Sequence, residues 1–425
     1  MLEDDIYRTS TQYRLWSFTK ESLNSIRENT NSLASVRVRD AIRRAQEARR
    51  ATSTPGGSDE PDSKTNTPAG PESEIECLTP EDELELVQYY CEKTLELGDE
   101  YKPPLPTTVR ATAIQYLRRF YVTNSPMTYH PKSIMPCALF LATKTDNYYM
   151  SLRSFAEKIP NTTAEDIIAP EFLLTQGLRF AFDIRHPFRG LEGGVMELTA
   201  IAKGEGAPGP HHPEQTAAKL QEAIQAIPPA EGAAPSASIT DRIASAHGKT
   251  RQILKTAAQM TDAYFLYTPS QIWLSALLLV DQPLLEFYLD TKLGPAPSGS
   301  SPPASAPESA LAMLFALRAK LTGVLESCST LLGTYLNTHD PNAPPDPARM
   351  KNLKRIGKKL YHCQNPEKFS ELSAGRTQRR EGSGSTTPAL LPTAGGGDVD
   401  ETEGPAIKKR KLEKEAEEAG NGGNK

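Results

Sequence analysis

Lys144 and Glu171 are the charged residues in this chain with the least ordinary setting. Lys144 closes an apolar run in Leu141-Ala142-Thr143-Lys144-Thr145-Asp146. Glu171 follows Pro170 among Ile167, Ile168, Phe172, Leu173 and Leu174. A lysine at a helix end ordinarily snorkels its ammonium into water, and a glutamate on such a helix ordinarily lies on a solvated face. The rival chemistry is recognition. An unpaired carboxylate held in apolar surroundings is costly, so a charge there suggests a partner contact.

No bond-making chemistry accompanies these charges. The sequence has no GxGxxG, no Walker P-loop, no GxSxG and no HExxH, and the signature loops of a protein kinase are absent. No catalytic residue and no cofactor is therefore expected. Five cysteines (Cys77, Cys91, Cys137, Cys328 and Cys363) include no pair at CxxC spacing. They read as reduced thiols of a cytosolic or nuclear protein rather than as a zinc site or a disulfide framework. His211-His212 lies in a Gly- and Pro-rich stretch and lacks further ligands, so no metal is expected. Asn161-Thr162-Thr163 fits a glycosylation sequon, but Thr163 reads better as a helix cap. The opening Met1-Leu2-Glu3-Asp4-Asp5 has no apolar stretch, so no signal peptide is expected. Lys408, Lys409, Arg410 and Lys411 form a compact basic cluster that reads as a nuclear localisation signal or an electrostatic contact, and a nuclear protein is the expectation. The arginines between Arg37 and Arg50 read as a charged helix face.

The elements that must position Lys144 and Glu171 are helices. The chain has 425 residues, enough for two or three domains. Mean hydropathy is −0.49, and 35 prolines and 28 glycines gather in a few stretches, so part of the chain is expected to be disordered. The disordered stretches are Thr52–Glu74, Gly204–Ser238 (with a short helix over Glu214–Ala226 as an option), Gly294–Pro307 and Ser373–Lys425. A formal charge of −5 and a pI near 5.9 give no general reason to expect a nucleic-acid ligand. The longest apolar run, Ile272–Val280, is far too short to span a bilayer.

Between the low-complexity stretches the apolar spacing is helical. Thr79-Pro80-Glu81-Asp82 gives an N-cap, a proline at the first helical position and acids in the first turn. Helices follow near Thr107–Thr123, Pro131–Thr145 and Leu152–Lys158. A fifth, capped by Thr163 and Asp166, is expected to run to about Ala181 with Pro170 kinking it or delaying its start. The run Pro136–Ala142 is apolar nearly all round, which marks a central helix. The pattern then begins again, with helices over Phe188–Ala202, Thr240–Tyr264, Thr268–Val280, Pro283–Leu289 and Glu308–Leu332. Flanking helices are expected over Phe18–Ala48 and Asp346–Cys363. The fold class is all-α. It has two tandem five-helix modules over residues 79–185 and 186–335, an N-terminal helical segment over 1–50, a linker over 51–78, a C-terminal helix over 345–366 and a tail over 373–425.

Two five-helix modules, an apolar central helix ending in lysine and a glutamate in the fifth helix resemble the cyclins. The first cyclin box is matched by Val109-Arg110-Ala111, by Ala138–Lys144, and by Glu171-Phe172-Leu173-Leu174 with Leu178-Arg179-Phe180. The second module resembles the degenerate second box, carrying a fungal-style insertion at Gly204–Ser238. The flanks are similar to those of the cyclin H family, in Ser10-Thr11-Gln12-Tyr13-Arg14-Leu15-Trp16-Ser17-Phe18, in His186-Pro187-Phe188-Arg189 with Glu192-Gly193, and in a helix after the second box. The resemblance covers about two thirds of the chain.

It implies a regulatory subunit without catalytic activity. The partners would be a cyclin-dependent kinase catalytic subunit, a RING-finger assembly factor of the CDK-activating kinase, and the core of general transcription factor TFIIH. The outcome would be phosphorylation of kinase activation loops and of the RNA polymerase II carboxy-terminal repeats. By the same resemblance Lys144, Glu171, Phe140, Phe172 and Leu174 are the expected kinase-binding residues, with no direct nucleic acid and no membrane. In cell-cycle cyclins a substrate-docking patch begins Met-Arg-Ala-Ile-Leu and includes a tryptophan. Here Val109-Arg110-Ala111-Thr112-Ala113 and Tyr116 stand instead, so docking of that kind is not expected. A C- or K-type transcriptional cyclin, and a cyclin-fold transcription factor without a kinase, remain as alternatives.

Overall fold

This computed structural model describes residues 3–52, 75–160, 162–209, 215–229, 238–294, 310–339 and 346–369. Every regular element among them is a helix. The N-terminal flank is α1 (Glu3–Thr9), α2 (Thr11–Trp16) and the long α3 (Lys20–Thr52). The first module is α4 (Pro80–Glu100), α5 (Thr107–Thr123), α6 (Pro131–Thr145), α7 (Leu152–Ala156), α8 (Ala164–Ile168) and α9 (Glu171–Gly177). The second is α10 (Phe188–Ala202), α11 (Ala217–Gln225), α12 (Ile239–Lys255), α13 (Ala257–Met260), α14 (Ala263–Leu266), α15 (Pro269–Val280), α16 (Gln282–Leu293) and α17 (Ala310–Thr338). The C-terminal flank is α18 (Pro347–Gln364).

The helix starts are written in local chemistry. At α4 the Thr79 hydroxyl accepts from the Asp82 amide at 3.1 Å, and the Asp82 carboxylate accepts from the Thr79 amide at 3.4 Å. Both orphan donors are thereby satisfied, and Pro80 has no amide to leave unpaired. Thr163 with Asp166 caps α8 in the same way, and Thr268 with Gln271 caps α15. Each apolar central helix then sinks into its module. Ala138, Leu139 and Ala142 of α6 and Ile272 and Ala276 of α15 have no exposed surface. α6 packs on α5, whose Ala113, Ile114, Tyr116, Leu117 and Phe120 are equally enclosed. In the second core α10 comes close to α15 because Gly190 and Gly194 have no side chain. A Cβ on either would stand 2.6 Å from the Trp273 indole.

Two expectations change. The fifth helix of the first module is two short helices, because Pro170 cannot donate to the preceding turn and α8 ends before it. Thr240–Tyr264 is not one helix but α12, α13 and α14, broken at Thr256 (φ −111°, ψ −88°) and again after Met260. In the stretch from 204 to 238 the short helix offered over Glu214–Ala226 is present as α11. α11 buries Leu220 and Ile224 in the second core, and its Gln221 amide donates to the Ala202 carbonyl at 3.2 Å. His211-His212, Asn161 and the basic cluster Lys408–Lys411 lie outside the described residues.

The flanks close over the first module. Ala34, Val38 and Ile42 of α3 meet Ile356, Leu360 and Cys363 of α18 around Ile75, Leu78 and Leu86. Arg349 of α18 bonds Glu85 at 2.6 Å and both oxygens of Glu92 at 3.0 Å, and Arg355 bonds Asp82 at 2.5 Å. Trp16, fully buried, packs with Leu23, Val122 and Phe265, so α2 and α3 sit across the two modules.

Candidate partner-binding site

Lys144 lies in the last turn of α6 and Glu171 in the first turn of α9. A cation suits the carbonyl end of a helix and an anion suits the amide end, so each charge stands where its own helix favours it. The break at Pro170 makes this possible, since it gives Glu171 a fresh helix N-terminus. α9 packs on α6, and the Lys144 ammonium donates directly to a Glu171 carboxylate oxygen. The same ammonium sits 5.0 Å from the centre of the Phe140 ring. The side chains remain 41% and 29% exposed, so the pair meets solvent and holds little folding energy.

Large apolar side chains stand exposed on the elements that carry the pair and on those next to them in the chain. Phe172 is 68% exposed and Ile168 43%, on the two helices that flank the Pro170 break. Tyr149, in the loop after α6, is almost wholly exposed. Phe180 is held outward at the end of α9. There Arg179 and Phe180 both take left-handed backbone conformations (φ 54° and 55°), with the Arg179 amide on the Gln176 carbonyl and the Phe180 amide on the Thr175 carbonyl. This is a Schellman closure built without the usual glycine, a strained arrangement. The Arg179 guanidinium lies 5.3 Å from the Trp16 ring, so the N-terminal flank supports the turn.

Two expected contact residues sit elsewhere. Leu174 has no exposed surface and is part of the first core, because the one apolar stripe of α9 faces α5 and α6. Phe140 is buried too, packed against Phe155 at 5.3 Å between ring centres. Both shape the surface from beneath. Only Lys144, Glu171 and Phe172 of the five expected residues present themselves to solvent. Ile168 and Tyr149 join them, and the sequence signal for Ile168 was its place one turn before a proline-broken helix.

The substitutions in the docking motif have a structural counterpart. Tyr116 is fully buried, its hydroxyl donating to the Phe182 carbonyl (2.8 Å) and bonded to the Thr145 hydroxyl (2.9 Å). Val109, Ala111, Thr112 and Ala113 are buried as well, so no open apolar patch exists there.

A buried polar seam joins the modules. Asp262, before α14, accepts from Arg27 of α3 (2.7 and 2.8 Å) and from Arg118 of α5 (2.6 Å). Burial would raise its carboxyl, but the Arg27 bonds and the Arg118 charge outweigh that and hold it below the ordinary range. His186 bonds Thr112 at 3.0 Å and the Tyr264 hydroxyl at 2.9 Å. Burial, then the Arg119 charge, push its imidazole down to about 3, so it is neutral at physiological pH. Gln115 donates to Gln259 at 2.9 Å, and Gln259 donates to Tyr264 at 2.7 Å. Among the described residues no group of three or more His, Cys, Asp or Glu side chains could hold a metal, and no helix is long and apolar enough to cross a membrane.

Paired helical modules with apolar central helices, joined at a buried seam and bearing a lysine–glutamate pair between two helix ends, define the two-box cyclin fold. Residues 186–333 match the family described as the cyclin C-terminal domain. Cyclin CCL1 of Saccharomyces cerevisiae is 34% identical over 298 residues, covering 70% of this chain and 63% of that one. Cyclin mcs2 of Schizosaccharomyces pombe is 36% identical over 197 residues, 46% of this chain and 56% of its own. A chain in the solved structure of the CAK complex from Chaetomium thermophilum bound to ATP-gamma-S superimposes with a TM-score of 0.61 at 29% identity, covering 92% of this chain and 99% of that one. The chain spans 63% and 56% of the length of these two relatives. Cyclin-H of Xenopus laevis is 31% identical over 199 residues, 45% of this chain and 54% of its own, so the chain is similar to the cyclin H group.

Proposed function

We propose that this chain is a regulatory subunit, itself without catalytic activity, that binds and activates a cyclin-dependent kinase as part of a CDK-activating kinase and TFIIH. The reading rests most heavily on the Lys144–Glu171 pair, set between two helix ends, with Phe172 and Ile168 exposed on α9 and α8. Exposed apolar groups around a solvated ion pair suit a protein partner better than water. The likeness to a chain of the Chaetomium CAK complex supports the same class of partner. A RING-finger assembly factor and the TFIIH core complete the proposed assembly, which acts in the nucleus on kinase activation loops and RNA polymerase II repeats.

The mechanism is a population shift. A protein kinase is active when its β3 lysine pairs with its αC glutamate and its activation loop is ordered. A partner that contacts only that arrangement raises its population. Lys144 and Glu171 would exchange their mutual bond for bonds to the kinase near αC, while Phe172 and Ile168 bury apolar surface beside them. The exchange is cheap because the pair is already half-solvated, and it is specific because both charges are fixed by helix ends.

The test is co-purification with, and activation of, the kinase by a Lys144→Ala, Glu171→Ala double variant. Loss of about 2–5 kcal/mol of binding is expected, a fall of thirtyfold or more in affinity. Association and activity equal to wild type would sink the assignment.

A further inference from the structure

Cys91 and Cys137 are sealed in the first core and Cys328 in the second, each no more than 1% exposed. Cys77 and Cys363 are placed differently. Cys77 lies half-exposed in the segment that leads into α4, and Cys363 lies in the last turn of α18. The Cys363 thiol is in hydrogen-bonding contact with the Cys77 side chain and also with the backbone of Leu78.

The neighbours of Cys77 fix this approach. Glu76 forms an ion pair with Lys359, one turn before Cys363 on the same helix, and Lys359 also reaches Asp82 at 3.4 Å. Leu78 gives its carbonyl to the Asn31 amide of α3 at 2.8 Å and packs in one cluster with Cys363. The residue before Cys77 is thus tied to α18, and the residue after it to both flanking helices.

We propose that Cys77 and Cys363 form a peroxide-responsive pair that closes to a disulfide and staples α18 to the segment opening the first module. Cys77 is the attacking group because it alone of the two is open to solvent. The hydrogen bond with Cys77, then burial, then the Cys77 charge push the Cys363 thiol well up, so Cys363 keeps its proton and peroxide meets Cys77 first.

The Cys77 thiolate attacks one oxygen of hydrogen peroxide. The O–O bond breaks, hydroxide leaves and is protonated to water, and Cys77 becomes a sulfenic acid. The Cys363 sulfur then attacks the Cys77 sulfur. The S–S bond forms, the S–O bond breaks, and the Cys363 proton leaves with the departing hydroxide as the second water. Two thiols have given up two electrons, and one peroxide has become two waters. The ring so closed takes in both modules, and it restricts the unfolded chain far more than the folded one.

The reduced full-length chain is treated with hydrogen peroxide, alkylated and digested without reductant. A cross-linked peptide joining Cys77 to Cys363, short by two hydrogens against its two halves, is expected from mass spectrometry of the wild-type chain. Tm should rise by about 5–10 °C and fall back on addition of dithiothreitol. Cys77→Ser, at a half-exposed position, should fold and lose both effects. Recovery of Cys77 only as free thiol or as sulfinic or sulfonic acid, with no cross-link to Cys363, would overturn the proposal. This outcome is read on the wild-type chain and does not depend on how any variant folds.

Discussion

At the scale of single residues, two carboxylates illustrate opposite uses of charge. Glu171 is half-solvated and paired, so its removal should touch recognition and leave the fold alone. A charge exchange, Lys144→Glu with Glu171→Lys, separates the two roles. It keeps an ion pair between α6 and α9 but reverses the signs a kinase would meet. Tm within about 2 °C of wild type is expected, because a solvated pair contributes at most about 1 kcal/mol. Kinase activation should nevertheless be lost, and full activation by the exchanged variant would reduce the pair to a helix clasp. Glu83 is the opposite case. Burial raises its carboxyl to about 7, only partly offset by hydrogen bonds from Ser125 and Asn31. Its folded-state value lies above its unfolded one, so its contribution is full below the unfolded value and is lost as pH rises through about 7. Glu83→Gln should therefore gain stability relative to wild type as pH rises from about 4.5 to 7, by on the order of 2 kcal/mol. Urea unfolding at several pH values measures it, and a constant difference across that range would contradict it.

At the scale of elements, α18 is held to the first module by charge and by packing together. Arg349, Arg355 and Lys359 engage Glu85, Glu92, Asp82 and Glu76 of the segment leading into α4 and of α4 itself, while Ile356 and Leu360 fill the core shared with α3. The packing is the stronger term. Ile356 has no exposed surface, and Ile356→Ala should cost about 2–5 kcal/mol, lowering Tm by about 5–10 °C. An unchanged Tm would show that α18 is an appendage. The helix starts were readable in advance, since Thr79, Thr163 and Thr268 each cap through bonds spanning three residues. The breaks at Thr256 and after Met260 were not. Nothing in the local pattern stops a helix there; the seam does, by drawing Gln259 and Asp262 toward α5.

At the scale of the molecule, the modules unfold together or not at all if the seam carries enough energy. Asp262 of the second module is bound by arginines from α3 and α5. Asp262→Ala leaves Arg118, itself 8% exposed, without its carboxylate, and a loss of about 3–5 kcal/mol is expected. Calorimetry should show one transition in the wild type; a variant as stable as wild type would remove the seam as a source of cooperativity. His186 adds a pH signature. Its pKa is lower folded than unfolded, so the folded chain resists protonation and stability falls as pH drops below about 6.5. His186→Gln should lose less stability than wild type over that descent, measured by denaturation at each pH.

The sequence by itself determined most helices of the two modules, their caps, the central position of α6 and α15, and the charged residues worth watching. Those features depend on neighbours within a turn or two along the chain. Only the tertiary structure decided that Lys144 reaches Glu171 across 27 residues, that Leu174 and Phe140 lie beneath the surface, and that α11 belongs to a core. Such facts depend on which face of a helix meets which partner, and a stretch of periodic apolar residues fixes that a face is buried without fixing what it is buried against.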